Sequence, residues 1–259
     1  MFNYSFSYDD LERYLLILTR MASFIVACPV FSSRNVPRRF KAAAAIFFAY
    51  IVYGVIPPQV IHYNTLYGYT VLVLKEAICG LIIGIGANIC DSILAFAGRI
   101  ADMEIGISMV QLFDPSTREA AGLTGTIYTY GVTLIMVISG MYYYFIRAIV
   151  ETYNIIPLGG AVFESDSLTR TMILFFSDYM SISFRICIPV IVSIMLVNTV
   201  LGILVKTAPQ INMFSVGIQI KLTVGLTVIF LTIGFLPTAA EYIFKEMKMM
   251  MTAMVESMT

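Results

Sequence analysis

Tryptophan is absent from this 259-residue chain, histidine occurs once (His62), and charged residues make up only 12% of it. Each shortage excludes something. A soluble domain carries about twice that charged fraction, so a soluble enzyme is the wrong starting point. One histidine leaves little footing for a Ser–His or Cys–His mechanism. Cys28, Cys79, Cys90 and Cys187 are scattered, with no Cys-x-x-Cys pair, which argues against a zinc or iron–sulfur site. Gly-x-Ser-x-Gly, His-Glu-x-x-His and the P-loop pattern are all missing, so the chain reads as a non-enzyme without a cofactor. The net charge is zero, which points away from nucleic acid as a partner. Without tryptophan, the 16 tyrosines must supply most of any interfacial aromatic belt.

What is present is apolar sequence. Hydrophobic residues make up 59% of the chain and the mean hydropathy is +0.87. About six long apolar stretches stand out: Leu15–Phe31, Ala42–Ile56, Val71–Ile100, Ala120–Ile146, Thr171–Val205 and Leu222–Ala240. A bilayer-spanning helix needs about 20 such residues, so the expected fold is an all-α membrane protein. Pro57-Pro58 stops the second stretch, and Pro157-Leu158-Gly159-Gly160 marks a turn after the fourth. A Met-rich tail ends the chain, and no internal repeat or inter-domain linker is evident. The N-terminus does not read as a signal peptide, because Asp9, Asp10 and Glu12 stand where positive charge belongs. Ile25-Val26-Ala27-Cys28 resembles a lipoprotein cleavage box, but Arg20 interrupts the apolar run before it.

A basic loop follows the first stretch, with Arg34, Arg38, Arg39 and Lys41 and no acid among them. Positive charge beside short membrane segments favours the cytoplasm. Alternation then puts Lys206–Lys221 inside as well and both termini outside, which Lys245 and Lys248 fit poorly. Arg20, Lys75, Glu76, Asp91, Asp178 and Arg185 fall in apolar context. A central charge costs about 2.5–3.5 kcal/mol on insertion scales. These charges are expected to pair across helices or lie near interfaces; alternatively, their helices face other subunits rather than lipid. Gly80, Gly84 and Ala87 share one helical face, a spacing that lets two backbones approach closely.

Asp102–Gly125 is the segment of greatest interest. Its five charges forbid deep exposure to lipid, yet Ile105, Ile107, Met109, Val110, Leu112 and Phe113 are too apolar for a freely solvated loop. Irregular backbone at membrane depth survives only when buried in protein or lining a watery cavity. Asp114-Pro115-Ser116 signals a turn or helix start. An ordinary re-entrant or surface loop fits this composition. So does a segment that blocks a pore and later yields, with apolar side chains for sealing and flexible Met103 and Gly106 for rearrangement.

Four segments, in order, carry a resemblance. Arg34-Asn35-Val36-Pro37-Arg38-Arg39-Phe40-Lys41, Met103-Glu104-Ile105-Gly106 through Phe113-Asp114-Pro115, Ile156-Pro157-Leu158-Gly159-Gly160 and Ala208-Pro209-Gln210-Ile211-Asn212-Met213-Phe214-Ser215-Val216-Gly217 together resemble the FliR family of type III protein-export components. Its virulence-system relatives include SpaR and YscT, and the overall match leans flagellar. The resemblance implies one membrane domain over residues 1–259, built of kinked helical hairpins packed in a hetero-oligomeric export gate. It implies FliP-like and FliQ-like subunits as partners, FlhB-like and FlhA-like components nearby, and unfolded protein substrates in transit. The place implied is the bacterial inner (cytoplasmic) membrane at the flagellar basal body. Met103, Gly106, Ile107, Met109, Val110, Leu112, Phe113, Asp114 and Pro115 would contribute to the channel plug. Residues 185–240 look like a FliQ-type hairpin with Lys206–Lys221 at its cytoplasmic tip. The function expected is that of a core gate subunit that helps form and seal the secretion channel. The alternative is a small-molecule secondary transporter with helices broken at Pro57, Pro157 and Pro189.

Overall fold

A computed structural model describes residues 8–32, 36–59, 63, 65–107, 122–208, 210 and 212–259. The described residues are helical apart from short connections and contain no strand. In chain order the helices are α1 (Tyr8–Ala27), the four-residue α2 (Pro29–Ser32), α3 (Arg38–Val55), α4 (Leu66–Ala87) and α5 (Ile89–Ile105). They continue with α6 (Leu123–Ile138), α7 (Met141–Ile155), α8 (Ser165–Thr207) and α9 (Met213–Thr232). A single 3-10 turn (Ile233–Phe235) leads into α10 (Leu236–Glu256).

Local chemistry sets these boundaries. Pro57 forces the preceding Ile56 into extended backbone (φ −79°, ψ 132°), so α3 ends at Val55. Thr65 caps α4, its hydroxyl accepting from the Gly68 N–H at 3.3 Å. The third apolar stretch is two helices rather than one, parted at Asn88, where ψ rises to 0°. The fourth is also two, parted at Gly140, whose φ of +69° lies in the left-handed region that only glycine enters cheaply. The Met-rich tail forms the last part of α10 and the turn after it, with Met247, Met251, Met254 and Met258 buried.

Among the described residues, three helical segments are long and apolar enough to cross a membrane: Tyr67–Ala87, Ser165–Thr207 and Ser215–Glu256. Together α6 and α7 would make a fourth, broken one. The helix built on the first apolar stretch is not among them, because Asp9, Asp10, Glu12, Arg13 and Arg20 break up its apolar surface. The protein is an all-α membrane protein, as its apolar stretches lead one to expect, and its described residues hold three or four candidate spans.

The chain divides into two compact units. The first comprises residues 1–90, 140–175 and 245–259; the second comprises 91–139 and 176–244. In the first, α1 packs chiefly on α4 and α3 and buries Leu16, Ile17, Met21, Phe24 and Ile25. These residues recur at helical spacing on one face. In the second unit, Gly98 of α5 and Gly125 of α6 meet backbone to backbone, and a Cβ on Gly98 would overlap the Gly125 main chain. Ser183 of α8 donates to the Ile93 carbonyl at 3.3 Å. Phe96 packs edge-on against Phe184, ring centroids 6.3 Å apart.

Candidate functional site

The second unit holds both ends of the central segment. Asp102, on the last turns of α5, is 3% exposed. Its Oδ1 accepts from the Thr124 backbone N–H at 3.2 Å and from the Thr124 hydroxyl at 2.6 Å. Thr124 belongs to the first turn of α6, and the residue at that helix's N-cap position, Gly122, has no side chain to cap it. A carboxylate from α5 therefore does the capping across the gap, which also suits the positive end of the α6 dipole. The other oxygen, Oδ2, is buried without a donor among the described residues. It lies against Gly122, where any Cβ would overlap it. Asp102 lies outside the candidate spans. Burial raises its carboxyl above the usual carboxylate range, and the two bonds from Thr124 only partly oppose that.

The remaining residues expected at the plug distribute as follows. Met103 is 69% exposed on α5. Gly106 ends that helix with φ +92°, and its N–H donates to the Asp102 carbonyl (3.1 Å) and the Met103 carbonyl (3.2 Å). Ile107 is half-buried. Met109, Val110, Leu112, Phe113, Asp114 and Pro115 lie outside the described residues, as do Arg34 and His62.

One expectation needs correcting. Arg38, Arg39 and Lys41 do not sit in a loop; they form the first turn of α3. Pro37 occupies the N-cap position, and its carbonyl accepts from Phe40 N–H at 2.9 Å and Lys41 N–H at 3.3 Å. Proline's fixed φ pre-organises a helix start, and this outweighs the mismatch of three cations with the positive end of the helix dipole. Arg38 and Arg39 are exposed and Lys41 is half-buried. Gly80 and Gly84 face α1: a Cβ on Gly80 would overlap Ser23 and the Arg20 carbonyl, and one on Gly84 would come within 2.6 Å of the Ala27 Cβ.

The first unit contains a site whose partners reading the sequence did not identify. Arg20 of α1 is completely buried. It forms a forked pair with the equally buried Glu76 of α4, Nε to Oε2 at 2.5 Å and Nη2 to Oε1 at 3.0 Å. Its Nη1 donates to the Ile156 carbonyl at 3.0 Å, and its guanidinium stacks 4.3 Å from the Tyr153 ring centre. Glu76 Oε1 also accepts from the Gly159 N–H at 2.7 Å. A second side chain holds the same turn: Gln59 Oε1 accepts from the Leu158 N–H at 2.7 Å. One ion pair thus fastens α1, α4 and the Ile156–Gly160 turn together. Nearby, Arg13 donates to the Ile56 carbonyl at 2.6 Å, satisfying the end of α3. The signal available in the sequence was two opposite charges in apolar runs; their separation of 56 positions hid the pairing.

Among the described residues, no three His, Cys, Asp or Glu side chains converge to hold a metal ion. The family profile of bacterial export proteins, family 1, matches residues 11–247, running through both units. The chain belongs to this family. Similar proteins include the flagellar biosynthetic protein FliR of Bacillus subtilis (strain 168), 28% identical over 241 residues that cover 91% of this chain and 92% of that one. The flagellar biosynthetic protein FliR of Escherichia coli (strain K12) is 23% identical, covering 91% and 90%. That of Aquifex aeolicus (strain VF5) is 25% identical, covering 88% and 87%. Arg20, Glu76, Asp102 and Thr124 all fall inside the stretch matched to the export family.

Proposed function

We propose that this chain is a core, non-enzymatic subunit of a flagellar type III protein-export gate in the bacterial inner membrane, at the base of the flagellum. The observation that carries the reading is the family match, which runs nearly end to end and whose relatives are flagellar biosynthetic proteins. FliP-like and FliQ-like subunits are the expected neighbours, with FlhB-like and FlhA-like components close by. Residues 185–240 would pack as a FliQ-type hairpin, and unfolded protein substrates would pass through the assembled channel. Energy would come from other components, since no nucleotide-binding motif is present in the sequence.

In this reading the segment that starts at Met103 seals the resting channel, with Met103, Gly106 and Ile107 at its beginning. The Asp102–Thr124 contact supports that role, because it fastens the two flanks of the segment to each other. Native mass spectrometry of the tagged chain, co-expressed with its neighbouring genes and extracted in mild detergent, tests the assembly. A complex with FliP-like and FliQ-like subunits is expected, and a stable chain that ignores them sinks the reading. Deletion of Gly106–Phe113 tests the seal: small-ion leakage through the assembled complex should rise, and unchanged conductance counts against a plug.

A further inference from the structure

Within the second unit, α6, α8, the end of α9, the 3-10 turn and the start of α10 line an open, mostly apolar cavity of about 510 Å³. That volume lies in the usual range for small-ligand pockets. Arg185 lines it, together with Pro189, Phe235, Ala239 and Tyr242. Two observations decide what can occupy it.

The first is charge. Arg185 is exposed, and the ion pairs among the described residues are Arg20–Glu76 and Arg147–Glu151, so it belongs to neither. Its guanidinium stands on an apolar wall. Beside it, Pro189, inside the helix, has no N–H to give to the Arg185 carbonyl four residues back, so that carbonyl lacks its usual helical donor. The second is depth. The twenty residues Ile186–Val205, between Arg185 and Lys206, carry no Asp, Glu, Lys, Arg or His. As helix they measure about 30 Å, the thickness of a bilayer's hydrocarbon core. On the returning arm, Leu222–Ala240 is equally free of charge between Lys221 and Glu241, and Tyr242 follows. A bilayer fitted to these two charge-free arms would put Arg185 and Tyr242 one hydrocarbon thickness from Lys206 and Lys221, at the level of lipid headgroups, where tyrosine is favoured.

We propose that this cavity is a phospholipid site, with the phosphate held by Arg185 and an acyl chain lying in the apolar pocket below it. Guanidinium matches phosphate in charge and in its fork of donors, and a headgroup hydroxyl can donate to the Arg185 carbonyl. A lipid brings its own anion to this arginine. An apolar helix from a partner subunit would instead cover it and leave a buried charge without compensation. The site does not depend on the export reading.

The test is native mass spectrometry of the full-length chain in mild detergent, titrated with phosphatidylglycerol, with diacylglycerol of the same tails as the phosphate-free competitor. The wild type should retain one phosphatidylglycerol that diacylglycerol fails to displace. Arg185→Gln should weaken retention about tenfold, as expected for loss of a charge-assisted contact, and Arg185→Lys should weaken it less. Ala239→Phe, which fills the pocket and leaves the charge, should also lower retention; with the competition on the wild type, it decides the matter even if Arg185→Gln fails to fold. Equal retention by a folded Arg185→Gln, or displacement by diacylglycerol as effective as by phosphatidylglycerol, overturns the proposal. So does a photo-crosslinker at Thr238 that captures a protein subunit rather than lipid in the assembled complex.

Discussion

Each compact unit of this chain buries a carboxylate, and the two are treated differently. Glu76 in the first unit receives three donors: two from the Arg20 guanidinium and one from the Gly159 backbone, with both its oxygens engaged. Asp102 in the second receives two neutral donors on one oxygen, while the other has none among the described residues. Charge-assisted bonds are roughly twice as strong as neutral ones, and a half-satisfied buried acceptor gives back part of what the bonds contribute. The first unit is riveted through a side chain that cannot leave without stranding a buried charge. The second is held by a contact that can open at much lower cost. The helices differ in the same sense: the most apolar window of α4 is 39% buried, whereas those of Ser165–Thr207 and Ser215–Glu256 are 17% buried, leaving most of their surface for lipid or partners.

The contrast breaks most directly at the rivet. Arg20→Ala or Glu76→Ala should destabilise the chain by about 3–5 kcal/mol, because either strands a buried charge. Thermal unfolding followed by far-ultraviolet circular dichroism in detergent reads the loss. The double variant Arg20→Met/Glu76→Leu removes both charges at once and should recover much of the stability; a double variant as weak as either single one would mean that the hydrogen bonds to the Ile156–Gly160 turn matter more than the charges. Next comes the crossing in the second unit. Gly98→Val forces a side chain into the Gly125 backbone and should cost about 1–3 kcal/mol by overpacking. A tolerated Gly98→Val would show that the two helices are free to separate. Smaller still, Asp102→Ala should cost about 1–2 kcal/mol, in the range of a lost cap. Thr124→Val should cost about the same, and the two losses should not add in a double-mutant cycle. If Asp102→Ala proved as damaging as Glu76→Ala, the distinction between rivet and releasable contact would fall. Last, Arg147→Gln removes an exposed pair with Glu151 and should leave the melting temperature where it is, since such pairs contribute little.

The helical class and the membrane character were legible in the sequence, because charge-poor runs of helical length depend only on local composition. The breaks at Asn88 and Gly140 were not, since an apolar run reads the same whether or not its backbone turns within it. Arg38, Arg39 and Lys41 looked like a loop by charge, while Pro37 before them was the better sign of a helix start. Arg20 and Glu76 were visible as misfits in apolar context, but their pairing is a matter of tertiary distance that no local pattern encodes. Asp102 was noticed only as one charge among five; its capping role depends on a helix that begins 21 residues later.

The 43 residues of α8 form one helix, with a contour of about 64 Å, roughly twice the hydrocarbon core. A micelle as thick as a bilayer core therefore cannot sheathe the full length of that rod. Whatever lies beyond the collar is free of detergent, so an antibody or tag directed at that length of the helix would leave the detergent-covered part undisturbed.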